Sequence, residues 1–222
     1  MKRLAGRYRI AILLVGIAFV VLCQQTPHLS EWYGRTVYPL LSATLSAFSS
    51  LFPFSLTEIS VIVAFFVCII YPIRLQNKGF PFRKIIFRQG EIFGWIYLWF
   101  YLAWGLNYYR YDIHTRLQIS PIAYEEARFK SFLNEYTGQL NATYQAEIKI
   151  DAETLRAEVG AFYTNLSPVY GLAKPRSWQE AKEFLFTPIY SKVSVLGSMG
   201  PFFAEAQMNS DLPDVQYPFT YA

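Results

Sequence analysis

Three long apolar stretches dominate the first half of the chain, at residues 10–27, 56–73 and 91–109. A helix of about 20 apolar residues crosses the hydrocarbon core of a bilayer, which is about 30 Å thick. The pattern therefore predicts three transmembrane helices within a membrane region at residues 1–109. The predicted fold class is mainly α, with these three spans followed by an incomplete, mostly helical extracytoplasmic domain that carries a short β element near the C-terminus.

The first apolar stretch has two interpretations. It follows four basic residues and resembles either a signal peptide or a signal anchor. A cleavable signal requires small residues before the cut, whereas this run ends Val20-Val21-Leu22-Cys23. The residues therefore favour an uncleaved anchor.

A shorter uncharged segment, residues 38–52, has a different periodicity. Ser42, Ser46 and Ser49 recur on one helical face, while leucines and phenylalanines line another. This pattern predicts an amphipathic helix at the membrane surface, with a span as the alternative.

Charge is distributed unevenly and predicts an orientation. Up to Leu106 there are ten basic and three acidic residues, and from Asn107 there are ten basic and thirteen acidic ones. Cytoplasmic loops of membrane proteins are enriched in Lys and Arg. We therefore expect a cytoplasmic-membrane protein with its N-terminus and its loop at 74–88 in the cytoplasm. Basic residues beside apolar runs do not form a nucleic-acid patch, so the expected partner is the lipid bilayer.

Residues 110–222 are predicted to form the extracytoplasmic domain. Ser120-Pro121 precedes a helical repeat of apolar residues, and Asp151 opens a second helix with Pro168 beyond its end. A capping box at 177–180 predicts a third helix leading into Phe184. Partial alternation over 189–196, followed by glycines, predicts a short strand and a turn.

Residues able to carry chemistry are few. The only histidines are His28 and His114, and neither forms the pair, one helical turn apart, that a zincin-type zinc site requires. Glu58 and Glu91 border predicted spans and suggest a proton relay, but an acid at the beginning of a helix is also favoured by the helix dipole. We therefore assign no catalytic and no metal-binding residue.

The last acidic segment offers the best candidate functional site. Glu205, Asn209, Asp211 and Asp214 have the ligand types of a calcium or magnesium loop. Their spacing does not match an EF-hand, and Asp211-Leu212-Pro213-Asp214 is also typical of a simple turn.

Several short segments of the sequence resemble those of a family of uncharacterised bacterial multi-span membrane proteins. This family is a domain of unknown function with a zincin-like H-E-x-x-H motif. The segments are the aromatic end of the third predicted span (104–108), the segment 200–206, the segment 209–216, and the closing Pro218-Phe219-Thr220-Tyr221-Ala222. In the family, these closing residues run directly into the zinc-binding helix. The resemblance implies a domain incomplete at its C-terminus and truncated just before that motif.

The same resemblance implies a function. Family members look like membrane-anchored zinc metallopeptidases, so zinc is expected for the full-length protein and peptides or proteins as substrates, while this chain alone is expected to be catalytically silent. By analogy with zincins, the segment with Phe202, Phe203, Glu205 and Asn209 is expected to face the substrate. The alternative is a non-enzymatic membrane-anchored module that binds a partner or an envelope component.

Overall fold

The computed structural model describes residues 2–120, 122–144, 152–170, 176, 179–209 and 211. They are mainly helical, as predicted, and they include a small three-stranded sheet near the C-terminus. The helices are α1 (Lys2–Gln25), α2 (Pro27–Thr36), α3 (Tyr38–Ser49), α4 (Leu56–Asn77), α5 (Phe82–Ala103), α6 (Ile113–Leu117), α7 (Glu126–Thr143), α8 (Ala152–Tyr170) and α9 (Thr187–Lys192). The strands are β1 (Lys182–Glu183), β2 (Gly197–Gly200) and β3 (Glu205–Met208).

The chain forms two compact units. One comprises Met1–Tyr111 and Pro175–Leu212, and the other comprises Asp112–Lys174 and Pro213–Ala222. The sheet and α9 therefore belong to the same unit as the apolar helices α1 to α5, and the second unit contains α6 to α8.

Two helices are long and apolar enough to cross a membrane among the residues that the structure describes. They are Arg7–Gln25 of α1 and all of α4, with mean hydropathies of 1.8 and 2.3. The structure thus shows two candidate spans where the sequence predicted three. Helix α5 begins at Phe82 rather than at residue 91, and the charges of Arg88 and Glu91 lie inside it. Those charges lower the mean hydropathy of α5. The expectation that Glu91 lies at the beginning of its helix was wrong, because α5 begins nine residues earlier, at Phe82.

Helices α1 and α5 pack closely through two glycines. A Cβ added to Gly16 would lie 2.6 Å from the side chain of Leu98, and one added to Gly94 would lie 3.0 Å from that of Leu13. Small residues of this kind allow two helix backbones to approach each other. Arg9 adds a polar contact, because its guanidinium donates to the Glu91 carboxylate at 2.8 Å.

An ion pair fastens the segment after α5 to α2, through Arg110, which follows a short 3-10 helix at Gly105–Tyr109. Arg110 donates to both carboxylate oxygens of Glu31, at 3.0 and 3.1 Å, and Arg35 donates to the same carboxylate at 2.5 Å. A Cβ on Gly34 would lie 2.8 Å from the Arg110 side chain. The glycine therefore leaves room for the arginine to lie across the helix.

The sheet has the order β1-β3-β2. Strand β1 runs parallel to β3, with Lys182 opposite Gln207, and β2 runs antiparallel to it, with Gly200 opposite Glu205. The predicted β element is thus confirmed near the C-terminus, but its position was wrong. The segment 189–196 forms the end of α9 and a turn, and the strand follows at Gly197.

Two further local predictions require correction. The helix expected after the capping box at 177–180 is instead the strand β1, and residues 177 and 178 of that box lie outside the described residues. Pro168 lies within α8, not beyond its end. Asp151, the predicted helix start, is also outside the described part of the chain. The helix predicted after Ser120-Pro121 is confirmed as α7.

Helix α3 reproduces the predicted helix at 38–52, but its serine face lies inside the protein. Ser42, Ser46 and Ser49 are all buried. Arg176 donates to the hydroxyls of Ser42 and Ser46, at 3.0 and 3.1 Å. The polar face of an amphipathic helix normally meets water, whereas here it meets half-buried donors from the C-terminal part of the same unit.

Candidate functional site at the start of helix α4

The backbone N–H groups in the first turn of α4 are capped by the side chain of its own N-cap residue and by a side chain of the sheet. Ser55 is the N-cap residue, and its hydroxyl accepts from the backbone N–H of Glu58 at 3.2 Å. The next two backbone N–H groups, of Leu56 and Thr57, donate to the Glu205 carboxylate of β3 at 3.0 and 2.8 Å. A carboxylate at a helix N-terminus satisfies amides without intrahelical partners and is favoured by the helix dipole.

Glu205 is 3% exposed, and its carboxylate accepts two hydroxyl hydrogen bonds, from Ser49 and from Ser55. Burial alone would raise its pKa, but hydrogen bonds from Lys182, Ser49 and Thr57 lower the pKa to about 2. The carboxylate is therefore ionised at neutral pH and stabilised by fixed donors.

Lys182 supplies the opposite charge. Its ammonium donates to Glu205 at 2.8 Å and to the Ser49 hydroxyl at 2.5 Å. It also donates to the backbone carbonyls of Ser49, at 2.7 Å, and Phe54, at 3.1 Å. Because β1 places Lys182 opposite Gln207, the ammonium lies beside the face of β3 that carries Glu205. We call Ser49, Ser55, Lys182, Glu205 and Gln207 the buried polar cluster.

A serine beside a lysine suggests nucleophilic catalysis, but this geometry opposes it. A lysine activates serine only when it is neutral, whereas Lys182 faces an ionised carboxylate and two carbonyl oxygens. Ser49 is 1% exposed, and the adjoining cavity has a volume of about 10 Å³. That volume holds about one water molecule. The buried polar cluster therefore acts as a structural connection between the sheet and two helices.

Two residues on one face of β3 reach the same hydroxyl. Residues two apart on a strand point to the same side, and both Glu205 and Gln207 contact Ser55. Gln207 donates its amide N–H to the Ser55 oxygen, which itself donates to Glu205 at 3.1 Å. The hydroxyl thus uses one donor and two acceptor positions, which is its full capacity.

Strand β2 approaches α4 so closely that a side chain would not fit. A Cβ on Gly200 would lie 2.6 Å from the Thr57 hydroxyl oxygen and 3.0 Å from its Cβ. This separation is below van der Waals contact, so the glycine is required for the strand to lie there.

Glu58, on the same turn of α4, holds the segment after β1. Its carboxylate accepts from the backbone N–H of Leu185 at 2.9 Å. Burial and the nearby Glu58 carboxylate raise the pKa of Tyr190, whose ring stacks on Phe184 with centroids 4.1 Å apart. The expectation that Glu58 lies at the beginning of its helix is confirmed.

The four predicted substrate-facing residues occupy three different environments. Glu205 belongs to the buried polar cluster. Asn209 is buried, and its amide donates to the Val195 carbonyl at 2.9 Å and to the Ser191 hydroxyl at 3.0 Å. Phe202 and Phe203 lie in the turn before β3 and line an apolar cavity of about 440 Å³. This cavity is also lined by residues of α4 and α5: Ser60, Val61, Ala64, Trp95, Ile96 and Trp99.

The other candidate residues form no metal site within the described part of the chain. Asp211 contacts the Ser191 hydroxyl at 3.2 Å, Asp214 lies outside the described residues, and His28 and His114 are both exposed. Within the described ranges, no three His, Cys, Asp or Glu side chains are close enough to bind a metal ion. Sequence reasoning missed Lys182 and Ser49, because neither residue carries a local signal of a charge-pair network.

Comparison with known protein families identifies the family of this chain. The model of a family described as protein of unknown function, DUF3810, matches residues 33–222. This chain belongs to the DUF3810 family. The match includes the whole buried polar cluster and both strands that flank β3. No curated protein and no solved structure matches the chain.

Proposed function

We propose that this DUF3810 chain is the membrane-anchored part of a zinc metallopeptidase-like protein. The observation that supports the proposal best is the buried polar cluster, which joins the central strand of a sheet to the first turn of an apolar helix. That connection holds the sheet at a fixed place relative to a candidate membrane span. In this proposal the described residues anchor the protein in the membrane and orient the sheet. Zinc and a water-activating glutamate would come from an H-E-x-x-H motif outside this sequence.

In this proposal, two of the predicted substrate-facing residues bind substrate and the other two have a structural role. Phe202 and Phe203, with Trp95 and Trp99, offer an apolar cavity to a substrate side chain. Glu205 and Asn209 hold the strand through buried hydrogen bonds. Backbone pairing with substrate would use the outer edge of β1 or β2, because β3 has a neighbour on each side.

A second candidate function follows from the same cavity. Binding an apolar segment of an envelope protein against the cavity would require no catalysis. A non-enzymatic, membrane-anchored binding module is therefore the alternative.

Zinc content and the coding sequence after codon 222 separate the two. An in-frame H-E-x-x-H helix there, with one zinc per chain and peptide cleavage by the longer product, would support the peptidase. A stop codon directly after codon 222 would favour the binding module. Stoichiometric zinc and peptide cleavage by this exact 222-residue polypeptide would overturn the proposal.

We further propose that α5 crosses the membrane beside α1, with the N-terminus cytoplasmic. The support is the glycine-mediated packing of α1 on α5 and the excess of basic residues at 74–88. A reporter enzyme fused after Asn141 tests this topology. Three crossings place it outside the cytoplasm, whereas two crossings, by α1 and α4 alone, place it inside.

A further inference from the structure

The turn between α4 and α5 carries a concentrated positive charge. Between Glu58 and Glu91 the sequence contains five basic residues and no acidic one: Arg74, Lys78, Arg83, Lys84 and Arg88. Arg88 pairs with Glu91 at 3.0 Å. The other four are exposed and have no ion pair within the described part of the chain.

Apolar side chains lie among these cations. Phe82 is 75% exposed, and Ile86 and Phe87 are also exposed, so among residues 82–87 of α5 only Ile85 is buried. Lys84 lies over the Phe80 ring, with its nitrogen 4.2 Å from the ring centroid. A shallow groove of about 490 Å³ is lined by Pro81, Arg83, Lys84, Ile86 and Phe87.

This surface is continuous with the end of a candidate span. Helix α4 runs to Asn77, and five residues later α5 begins. Cations interleaved with exposed apolar residues at the end of a membrane helix suit the interface, where the cations meet phosphate groups and the apolar side chains enter the acyl region.

We propose that the end of α4 and the first turns of α5 form a binding site for anionic phospholipid headgroups. The charge complementarity is with phosphatidylglycerol-type lipids, whose headgroups carry a net negative charge, and not with zwitterionic lipids. The site is independent of the proposed peptidase activity.

Lipid titration of the whole chain tests the site. Fluorescent phosphatidylglycerol or phosphatidylcholine is added to the protein in a neutral detergent, and the dissociation constant is measured. Each basic residue near an anionic surface contributes about 1 kcal/mol, so Arg83→Gln/Lys84→Gln should weaken phosphatidylglycerol binding about 10- to 30-fold. Binding should also weaken as salt increases.

Two matched variants control the result. Arg128→Gln/Lys130→Gln removes two exposed cations of α7 that pair with Glu125 and Glu126, and should leave lipid binding unchanged. Arg83→Lys/Lys84→Arg preserves charge and should retain affinity. Equal affinity for both lipids, an equal loss in the α7 control, or displacement of the lipid by single-stranded RNA at lower concentration than by phosphatidylglycerol would overturn the proposal.

Discussion

Each of the two compact units contains a Lys–Glu ion pair, but the pair is buried in one unit and exposed to solvent in the other. In the unit with the sheet, the side chains of Lys182 and Glu205 are 11% and 1% exposed. Lys182 Nζ lies 2.8 Å from Glu205 Oε1, and the two residues are 23 positions apart in the sequence. In the other unit, Lys130 and Glu126 meet at 2.5 Å, one turn apart on α7, and are 69% and 70% exposed. Pairs at similar distances therefore contribute differently to stability, since water screens the second pair much more strongly than the first.

The apolar residues show the same contrast. The periodic face predicted for α7 exists, yet its members are exposed by 40% or more: Phe129, Phe132, Leu133, Tyr136 and Leu140. In the first unit, Leu13, Val20, Tyr33, Leu98 and Leu106 form a buried cluster. The stability of the first unit therefore depends on long-range contacts, and that of α7 on its own local interactions.

Removing the buried cation should have the largest effect. We expect Lys182→Met to lower the free energy of unfolding by about 3–5 kcal/mol, because Glu205 would stay buried without its partner. Lys130→Met should change it by about 0.5 kcal/mol or less. Chemical unfolding of the detergent-solubilised chain, followed by near-ultraviolet circular dichroism, measures both.

The double variant Lys182→Met/Glu205→Gln checks the reason for that loss. Because the two groups interact directly, their effects should not add, and the double variant should be more stable than the sum of the single losses predicts. Strict additivity, or equal losses for Lys182→Met and Lys130→Met, would refute the difference between the two pairs.

The contribution of Glu205 should depend on pH. Its folded pKa of about 2 lies below the ordinary value of 4.5, so its stabilisation is complete above pH 4.5 and is lost as the pH falls toward 2. The difference in unfolding free energy between the wild type and Glu205→Gln should therefore shrink between pH 5 and pH 2. A difference that stays constant over this range would show that folding does not lower the pKa of Glu205.

Gly200→Ala should cost less, about 1–3 kcal/mol, because the added methyl group would overlap Thr57. Thr57→Ala in the same chain removes the hydroxyl oxygen that makes the closest contact and should recover part of the loss. Thermal unfolding of the three variants measures this. Full tolerance of Gly200→Ala would mean that β2 does not lie against α4 as described.

The matched glycine in the other unit should give the smallest effect, with the opposite sign. Gly138 lies within α7, and a Cβ there would meet no atom of the described residues within 4 Å, apart from the backbone of its own helix. Gly138→Ala should therefore stabilise the helix by up to about 1 kcal/mol. Far-ultraviolet circular dichroism during thermal unfolding detects the change, and a loss of stability would indicate that this face of α7 is in contact with other groups.

The sequence by itself determined the features that depend on near neighbours. The apolar runs of α1 and α4 predicted two candidate spans, the periodicity after residue 121 predicted α7, and Glu58 was expected at a helix start. Each feature is set by residues within a few positions of each other, since helix dipoles, caps and apolar faces act within about one or two turns.

Only the tertiary structure decided the buried polar cluster and the direction of the serine face. Ser49 and Ser55 lie 156 and 150 residues before Glu205 in the chain, so no local pattern connects them to it. A capping-box sequence predicted a helix leading into Phe184, but backbone pairing with β3 made Lys182 part of a strand. Burial removes water as the alternative partner of these groups, and the contacts that replace it exist only once the chain has folded.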